Sequence, residues 1–514
     1  MSVRQSVPMD TGWAWMICLG YFVSVFCMVG IAKSFGILME EFVGYFNVSV
    51  AMAALVMGVS GGMYTMAAPV CVLAGQHFTQ RKVVMVGAFV GGLGLSLAGL
   101  LLSIEWVILT SGAMFGFGNA CIFGNGLVML GHYFKKRRSL ANGLALSGAS
   151  IGMFAVPPLL QYLLDTYSLK GTMVIIGGIY MNAAVAGALY RPVSHYMDPK
   201  VDSKSETNKL LGTEPAENHV ELGTVRKHVD SDENHGDQQK SFDFDDIDRD
   251  AEDNKFKINN QDVLIGSVDS LHSLALKTED QSKSNMADKG NEKKNRITNK
   301  CLQFIVGLLD FSVLNNFVVD MFVVVSFLIF FGHFNFVLFM PATATVRGYS
   351  KYDRAFLVSI SGICDLVGRI LVGVAGDLHF CARYKILATA SLLFSLVIFG
   401  FAFATQYWLM GILVGLYGFL GGCYVAINAP VLIDLVGLAA MPKVLGVVLF
   451  IQGLGAAFGQ PLLGAIRDIE GSFVSVHIVC SASALLGSML LFFYPMVERL
   501  QKRRKNNINI IVKA

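Results

Sequence analysis

The chain has 514 residues, of which 54% are apolar and only 15% charged, with a mean hydropathy of +0.56 and a formal net charge of +3. Soluble globular proteins carry about 25% charged residues, so this composition excludes a soluble enzyme, a disordered chain and a disulfide scaffold. The small net charge also gives no reason to expect a nucleic-acid partner. What remains is an all-α membrane protein that crosses the bilayer many times.

In chain order, twelve apolar stretches are long enough to cross roughly 30 Å of hydrocarbon. Six lie in the first part, at about 13–35, 50–74, 83–104, 106–130, 139–164 and 171–190. Six more follow at about 320–341, 353–376, 386–404, 408–433, 441–464 and 474–494. The runs are continuous rather than alternating, which predicts helices and not strands. The nine cysteines are scattered, with no CxxC and no Cys/His cluster, so neither a disulfide framework nor a metal site is expected. The first apolar run begins at Trp13, is long enough to span and lacks a small-residue cleavage site, so it reads as a span and not a signal peptide.

The charges are unevenly placed. Residues 191–300 hold 17 Lys+Arg and 23 Asp+Glu, more than half of all charges in the chain. Such a segment cannot bury enough apolar surface to offset its ordering entropy, and a disordered central loop is expected there. The predicted organisation is a tail at 1–12, a six-helix bundle at 13–190, a mostly disordered linker at 191–317, a second bundle at 318–494 and a basic tail at 495–514. Within the linker, Leu302–Phe317 is apolar enough to lie in the membrane interface. Arg81, Lys82, the run Lys135–Arg138, Arg383, Lys385, Lys443 and the tail Arg499–Lys505 fall on one set of loops. The alternate set carries only Lys170, Arg347, Lys351, Arg354 and Arg467. The positive-inside rule then makes both termini and the central loop cytoplasmic, with the Asn47-Val48-Ser49 sequon outside.

The two halves echo each other. Gly373-Val374-Ala375-Gly376-Asp377 followed by Arg383 resembles the loop signature of the major facilitator superfamily, and the first half carries a weaker copy with Thr79 in place of the acid. Asp10-Thr11-Gly12-Trp13-Ala14-Trp15 resembles the opening signature of the monocarboxylate transporter family, with Thr11 replacing a glycine. Tyr133-Phe134 through Lys136-Arg137-Arg138, Leu140-Ala141, Gly143, Ala145, Ser147-Gly148 and Gly152 is similar to that family's fifth-span motif. Asp434-Leu435-Val436-Gly437 and Gly459-Gln460-Pro461-Leu462-Leu463-Gly464 form a third similar block, with Gln460 where a proline is usual. The resemblance implies a major facilitator fold of two six-helix bundles that rock about a midplane site. It also implies plasma-membrane residence and a single-span immunoglobulin-type chaperone glycoprotein as partner. Read as residues alone, the tryptophans are interfacial anchors and the Lys135–Arg138 run is a topological stop facing anionic lipid.

Charges inside a bilayer need a partner or a role. Lys33 lies late in the first span, and Asp365 and Arg369 lie mid-way along the eighth, at i and i+4 on one helix face. They read either as a local staple with a snorkelling lysine, or as a site for a small anion and a proton. The resembled family's proton-coupled members place these three residue types at these points, which favours the second reading. Asn119, Asn125, His333, Asn335, Tyr424 and Asn428 are further polar residues that can line a cavity or serve as interhelical hydrogen-bond partners. No nucleophile–base set, cofactor motif or metal cluster appears. The expectation is therefore a proton-coupled symporter of a small monocarboxylate. A carrier of another organic solute and a non-transporting membrane sensor are the rival readings.

Overall fold

A computed structural model describes residues 9–191, 316–501 and 503, without 102, 136, 378–381 and 438–440. Most of the linker, including the expected interfacial segment up to residue 315, lies outside the described residues, as do residues 1–8 and most of the C-terminal tail.

The described chain is helical throughout its long elements, because lipid offers no partner for backbone N–H and C=O groups and a helix satisfies them within itself. The first bundle contains α1 (Trp13–Phe46), α2 (Val50–Phe78), α3 (Gln80–Leu100) and α4 (Ile104–Tyr133). A π-helical segment, Ile108–Met114, is built into α4. Arg138–Ala188 is one helical stretch broken at Ser168, whose φ of 56° is left-handed; its two limbs, residues 138–167 and 169–188, are α5 and α6. The second bundle contains α7 (Phe317–Val346), α8 (Lys351–Asp377), α9 (Arg383–Phe403), α10 (Tyr407–Val436), α11 (Met441–Glu470) and α12 (Val474–Phe492). The helices overrun the hydrophobic windows. The first span was expected to end near residue 35, yet α1 continues through Glu40 and Glu41 to Phe46.

The halves meet chiefly along α2–α11 and α5–α8, with α1 also against α7. Small residues set these distances. A Cβ on Gly362 of α8 would lie 2.8 Å from the Phe154 backbone nitrogen and 3.0 Å from the Ser150 carbonyl oxygen of α5. Within the first bundle, a Cβ on Gly30 of α1 would lie 2.9 Å from the Gly152 carbonyl oxygen of α5. Contact this close lets dispersion and short side-chain hydrogen bonds hold helices together where no hydrophobic effect operates.

Because successive spans alternate in direction, one end of the molecule bears both chain termini. Here it is called the terminal face, and the opposite end the far face.

Candidate functional site

Lys33 on α1, His333 on α7, and Asp365 and Arg369 on α8 line one cavity of about 90 Å³ between the halves. Ala149 and Met153 of α5, Ser361 of α8 and Tyr417 of α10 complete its polar and close-packed walls. Three charged residues picked from sequence thus converge from two different bundles.

The i, i+4 spacing on α8 delivers a fork-like pair. Arg369 Nε donates to Asp365 Oδ2 at 2.7 Å and Nη2 donates to Oδ1 at 3.3 Å. Asp365 is 8% exposed, so its charge is tolerated because the guanidinium meets both oxygens. A third donor comes from the other half: Ser150 Oγ lies 2.5 Å from Asp365 Oδ2. Lys33 takes no part in this pairing. Its Nζ stands 5.6 Å from the Phe334 ring centroid, and among the described residues it makes no ion pair. The site therefore holds two cations and one carboxylate, a formal excess of +1. The rival picture of Lys33 snorkelling to an interface does not describe its place beside this cavity.

His333 is wrapped in aromatic rings, with Tyr417, Tyr424 and Phe394 centroids 5.2, 5.4 and 5.6 Å away. The Tyr417 hydroxyl donates to the His333 carbonyl oxygen at 2.7 Å and lies 2.9 Å from Nδ1. Its single proton being committed, it accepts from Nδ1–H, which in the neutral ring leaves Nε2 as an acceptor. Three of the other polar candidates hydrogen-bond away from the cavity. Tyr180 donates to Asn119 Oδ1 at 2.7 Å, and Asn125 Nδ2 donates to the Cys71 and Cys121 carbonyls at 2.9 Å each. Asn335 donates to the Phe331 carbonyl one turn back at 2.8 Å. Tyr424 is buried behind His333, and Asn428 is half-buried on α10. None of these five lines the cavity.

Ser150, Met153 and Tyr417 were not picked out from sequence. A lone serine in an apolar helix ordinarily back-bonds to its own turn, and nothing in the fifth-span block distinguishes Ser150 from that habit.

The two amino-terminal motifs dock on each other at the terminal face. The Asp10 carboxylate accepts from the Arg137 backbone N–H at 2.8 Å and the Lys135 N–H at 3.2 Å. Trp13 Nε1 donates to the Leu189 carbonyl at 3.0 Å, and Arg191 stacks on its ring at 3.5 Å. On the other half Arg383 pairs with Asp434 at 3.0 Å, so the third motif is anchored to the first turn of α9.

At the far face the charges bridge the halves. Arg354 of α8, 3% exposed, pairs with Glu40 and, at 3.1 Å, with Glu41 of α1. It also donates to Gln161 Oε1 of α5 at 3.3 Å. Thr345 of α7 donates to Glu40 at 2.7 Å, and Lys351 reaches Glu41 at 3.4 Å. Asp468 at the end of α11 accepts from the Val50 and Ala51 N–H groups at the start of α2, at 3.1 and 2.9 Å. Sequence reading had placed Lys351 and Arg354 among loop charges; the structure seats them in the first turn of α8, with Arg354 buried.

The chain matches the Major Facilitator Superfamily over residues 17–233 and 322–510. It belongs to that superfamily, whose members named below are carriers and not enzymes. The relatives it resembles within that class are named as monocarboxylate transporters. It is 27% identical to monocarboxylate transporter 12 of Homo sapiens over 97% of this chain and 84% of the relative. It is 25% identical to monocarboxylate transporter 1 of Bos taurus over 97% of this chain and 89% of that one. Among solved structures, a POT family transporter in complex with 5-aminolevulinic acid superimposes with a TM-score of 0.60 at 12% identity, covering 94% of this chain and 96% of that one. The nucleoside transporter NupG superimposes with a TM-score of 0.61 at 10% identity, covering 94% and 100%. Both establish the fold alone.

Proposed function

We propose that this transporter carries a small monocarboxylate together with a proton by alternating access. The observation that carries the reading is the formal charge of the cavity: Lys33 and Arg369 against Asp365 leave one positive charge, which one carboxylate neutralises. An arginine fork suits a carboxylate, and a lysine and a buried carboxyl are both groups able to hold a transferable proton. In the proposed cycle Lys33 takes the proton when the site opens outward and the anion follows. Proton and anion then pass to Asp365 and Arg369, and the halves rock to release both. One anion with one proton is electroneutral, so concentration gradients drive net flux.

The small cavity favours a solute of the lactate and pyruvate class over a bulky aromatic one. The loop charges support both termini and the central loop in the cytoplasm and the far face outside, and plasma-membrane residence rests on the family resemblance. Partnership with a single-span immunoglobulin-type glycoprotein rests on the family resemblance.

The test is uptake of labelled lactate and pyruvate with simultaneous recording of cytosolic pH. Cells expressing wild type, Asp365→Asn or Arg369→Ala are compared in acidic and alkaline outside buffers. Wild-type uptake should acidify the cytosol and rise in the acidic buffer. Each substitution removes one partner of a buried charge pair, a loss of about 2–5 kcal/mol, so flux should fall by about 30-fold or more at equal surface expression. Flux indifferent to outside pH, or no flux of either solute, refutes the assignment.

A further inference from the structure

The seam between α5 and α8 is stitched by three serine hydroxyls. Ser359 donates to the Phe154 carbonyl at 2.7 Å. Ser361 donates to the Val358 carbonyl of its own helix at 2.9 Å and lies 3.8 Å from Met153 Sδ across the seam. Ser150 meets Asp365 Oδ2 at 2.5 Å. Gly362 brings the two backbones close enough for these short side chains to reach. Of the three stitches, only the last ends on a group that can change charge.

That stitch is also placed to be read. Ser150 is 1% exposed and belongs to the first bundle, whereas Asp365 and its arginine belong to the second. Asp365 Oδ2 accepts from Arg369 Nε within its own helix and from Ser150 Oγ across the seam. A hydrogen bond to an ionised acceptor is roughly twice as strong as a neutral one. When Asp365 takes a proton, the bond across the seam loses its charge assistance, while the backbone contacts around it stay. The other charged and titratable groups facing this point are Arg369 on α8, Lys33 on α1, His333 on α7 and Tyr417 on α10, with Cys423 of α10 bonded to the Gly368 carbonyl one turn on.

We infer that Ser150 is a positioning residue for the transport cycle: it ties the protonation of Asp365 to the strength of the seam between the two halves. The inference rests on the proton-coupled reading above and names the group through which the proton is felt by the opposite bundle. Loss of the proton tightens the α5–α8 seam at the site and gain of the proton loosens it, which makes the balance between the two arrangements of the halves depend on whether the proton is aboard. Linkage makes the coupling reciprocal, so a seam that favours the charged carboxylate also resists its protonation.

The reciprocity supplies the test. Initial rates of labelled lactate uptake are measured across a series of outside pH values in cells expressing wild type, Ser150→Ala, Ser150→Thr and Ser359→Ala, normalised to surface protein. Ser150→Ala removes one of the three donors that meet the Asp365 carboxylate. The midpoint of the pH profile should move up by about half a pH unit or more, about a three-fold change in proton affinity. Ser150→Thr keeps the hydroxyl and should restore the midpoint toward wild type. Ser359→Ala cuts a stitch of the same seam that touches no titratable group, and its midpoint should stay in place. If Ser150→Ala does not reach the surface, Ser150→Cys, a weaker donor, should give a shift in the same direction. A pH-dependent wild type whose midpoint is unmoved by Ser150→Ala or Ser150→Cys overturns the inference and leaves the symport reading standing. Equal shifts from Ser150→Ala and Ser359→Ala also overturn it, since any loosening of the seam would then suffice. A wild-type flux flat with pH overturns the symport reading and the inference with it.

Discussion

The two ends of the molecule use their charges in opposite ways. At the far face the ion pairs run between the halves: Arg354 of the second bundle is enclosed by Glu40, Glu41 and Gln161 of the first, and Asp468 caps the start of α2. At the terminal face Asp10 binds the backbone at Lys135 and Arg137 inside the first bundle, and Arg383 binds Asp434 inside the second. Among the described residues no ion pair joins the bundles there. Charge therefore ties the two halves together at the far face, and the charges divide into a latch between the two bodies and braces within each body. A latch alters the balance of conformers, whereas a brace alters the stability of one bundle.

The largest effect expected from that division is at Arg354. Arg354→Ala leaves two carboxylates partly buried without their common cation, which costs about 3–5 kcal/mol in the closed conformer. The ratio of far-face-closed to far-face-open protein should fall by about 100-fold or more. The readout is a cysteine placed at Val29, which lines the central cavity. Its reaction with a membrane-impermeant thiol reagent added at the far face should accelerate in the Arg354→Ala background. An unchanged rate would remove Arg354 as the group that holds this face shut.

The brace at the terminal face should respond differently. Asp10→Ala frees the Lys135 and Arg137 N–H groups at a partly exposed position, for a loss of about 1–2 kcal/mol. The purified protein should unfold at lower temperature, and surface yield should drop, while the Val29 cysteine keeps its reactivity. A change in that reactivity comparable with the Arg354 effect would erase the distinction between brace and latch.

The residues most legible in the sequence are those that carry their own signal. Lys33, Asp365 and Arg369 stand out because a charge in an apolar run has no innocuous explanation, and all three line one cavity. Twelve hydrophobic runs about a polar insert gave the two-bundle fold for the same reason. The latch was not legible, because hydropathy windows end a helix where apolar residues stop. α1 continues for three turns beyond residue 35, and that overrun carries Glu40 and Glu41. Arg354 passed as a loop charge, since its burial depends on acids more than 300 positions away. Asn119, Asn125 and Asn335 instead meet a hydroxyl or a carbonyl. An amide in a membrane helix finds a carbonyl or hydroxyl nearby, and sequence does not tell a packing partner from a solute contact.

The smallest effect sharpens the comparison within the latch itself. Lys351 meets Glu41 at 3.4 Å and Asp165 at 4.0 Å, but its side chain is 57% exposed, against 3% for Arg354. Water screens the lysine pairs, and each exposed pair is worth about 0.2–1 kcal/mol. Lys351→Ala removes two such pairs and should therefore raise the reactivity of the Val29 cysteine by less than about 30-fold. Salt separates the two residues further. Surface pairs weaken as the Debye length falls from about 10 Å at 0.1 M to about 3 Å at 1 M, whereas buried pairs are screened much less. In high salt the Lys351→Ala and wild-type rates should converge, with the Arg354→Ala rate still standing apart. Convergence of all three would mean that the far face is held by its exposed charges, and burial of Arg354 would then have no bearing on which face is closed.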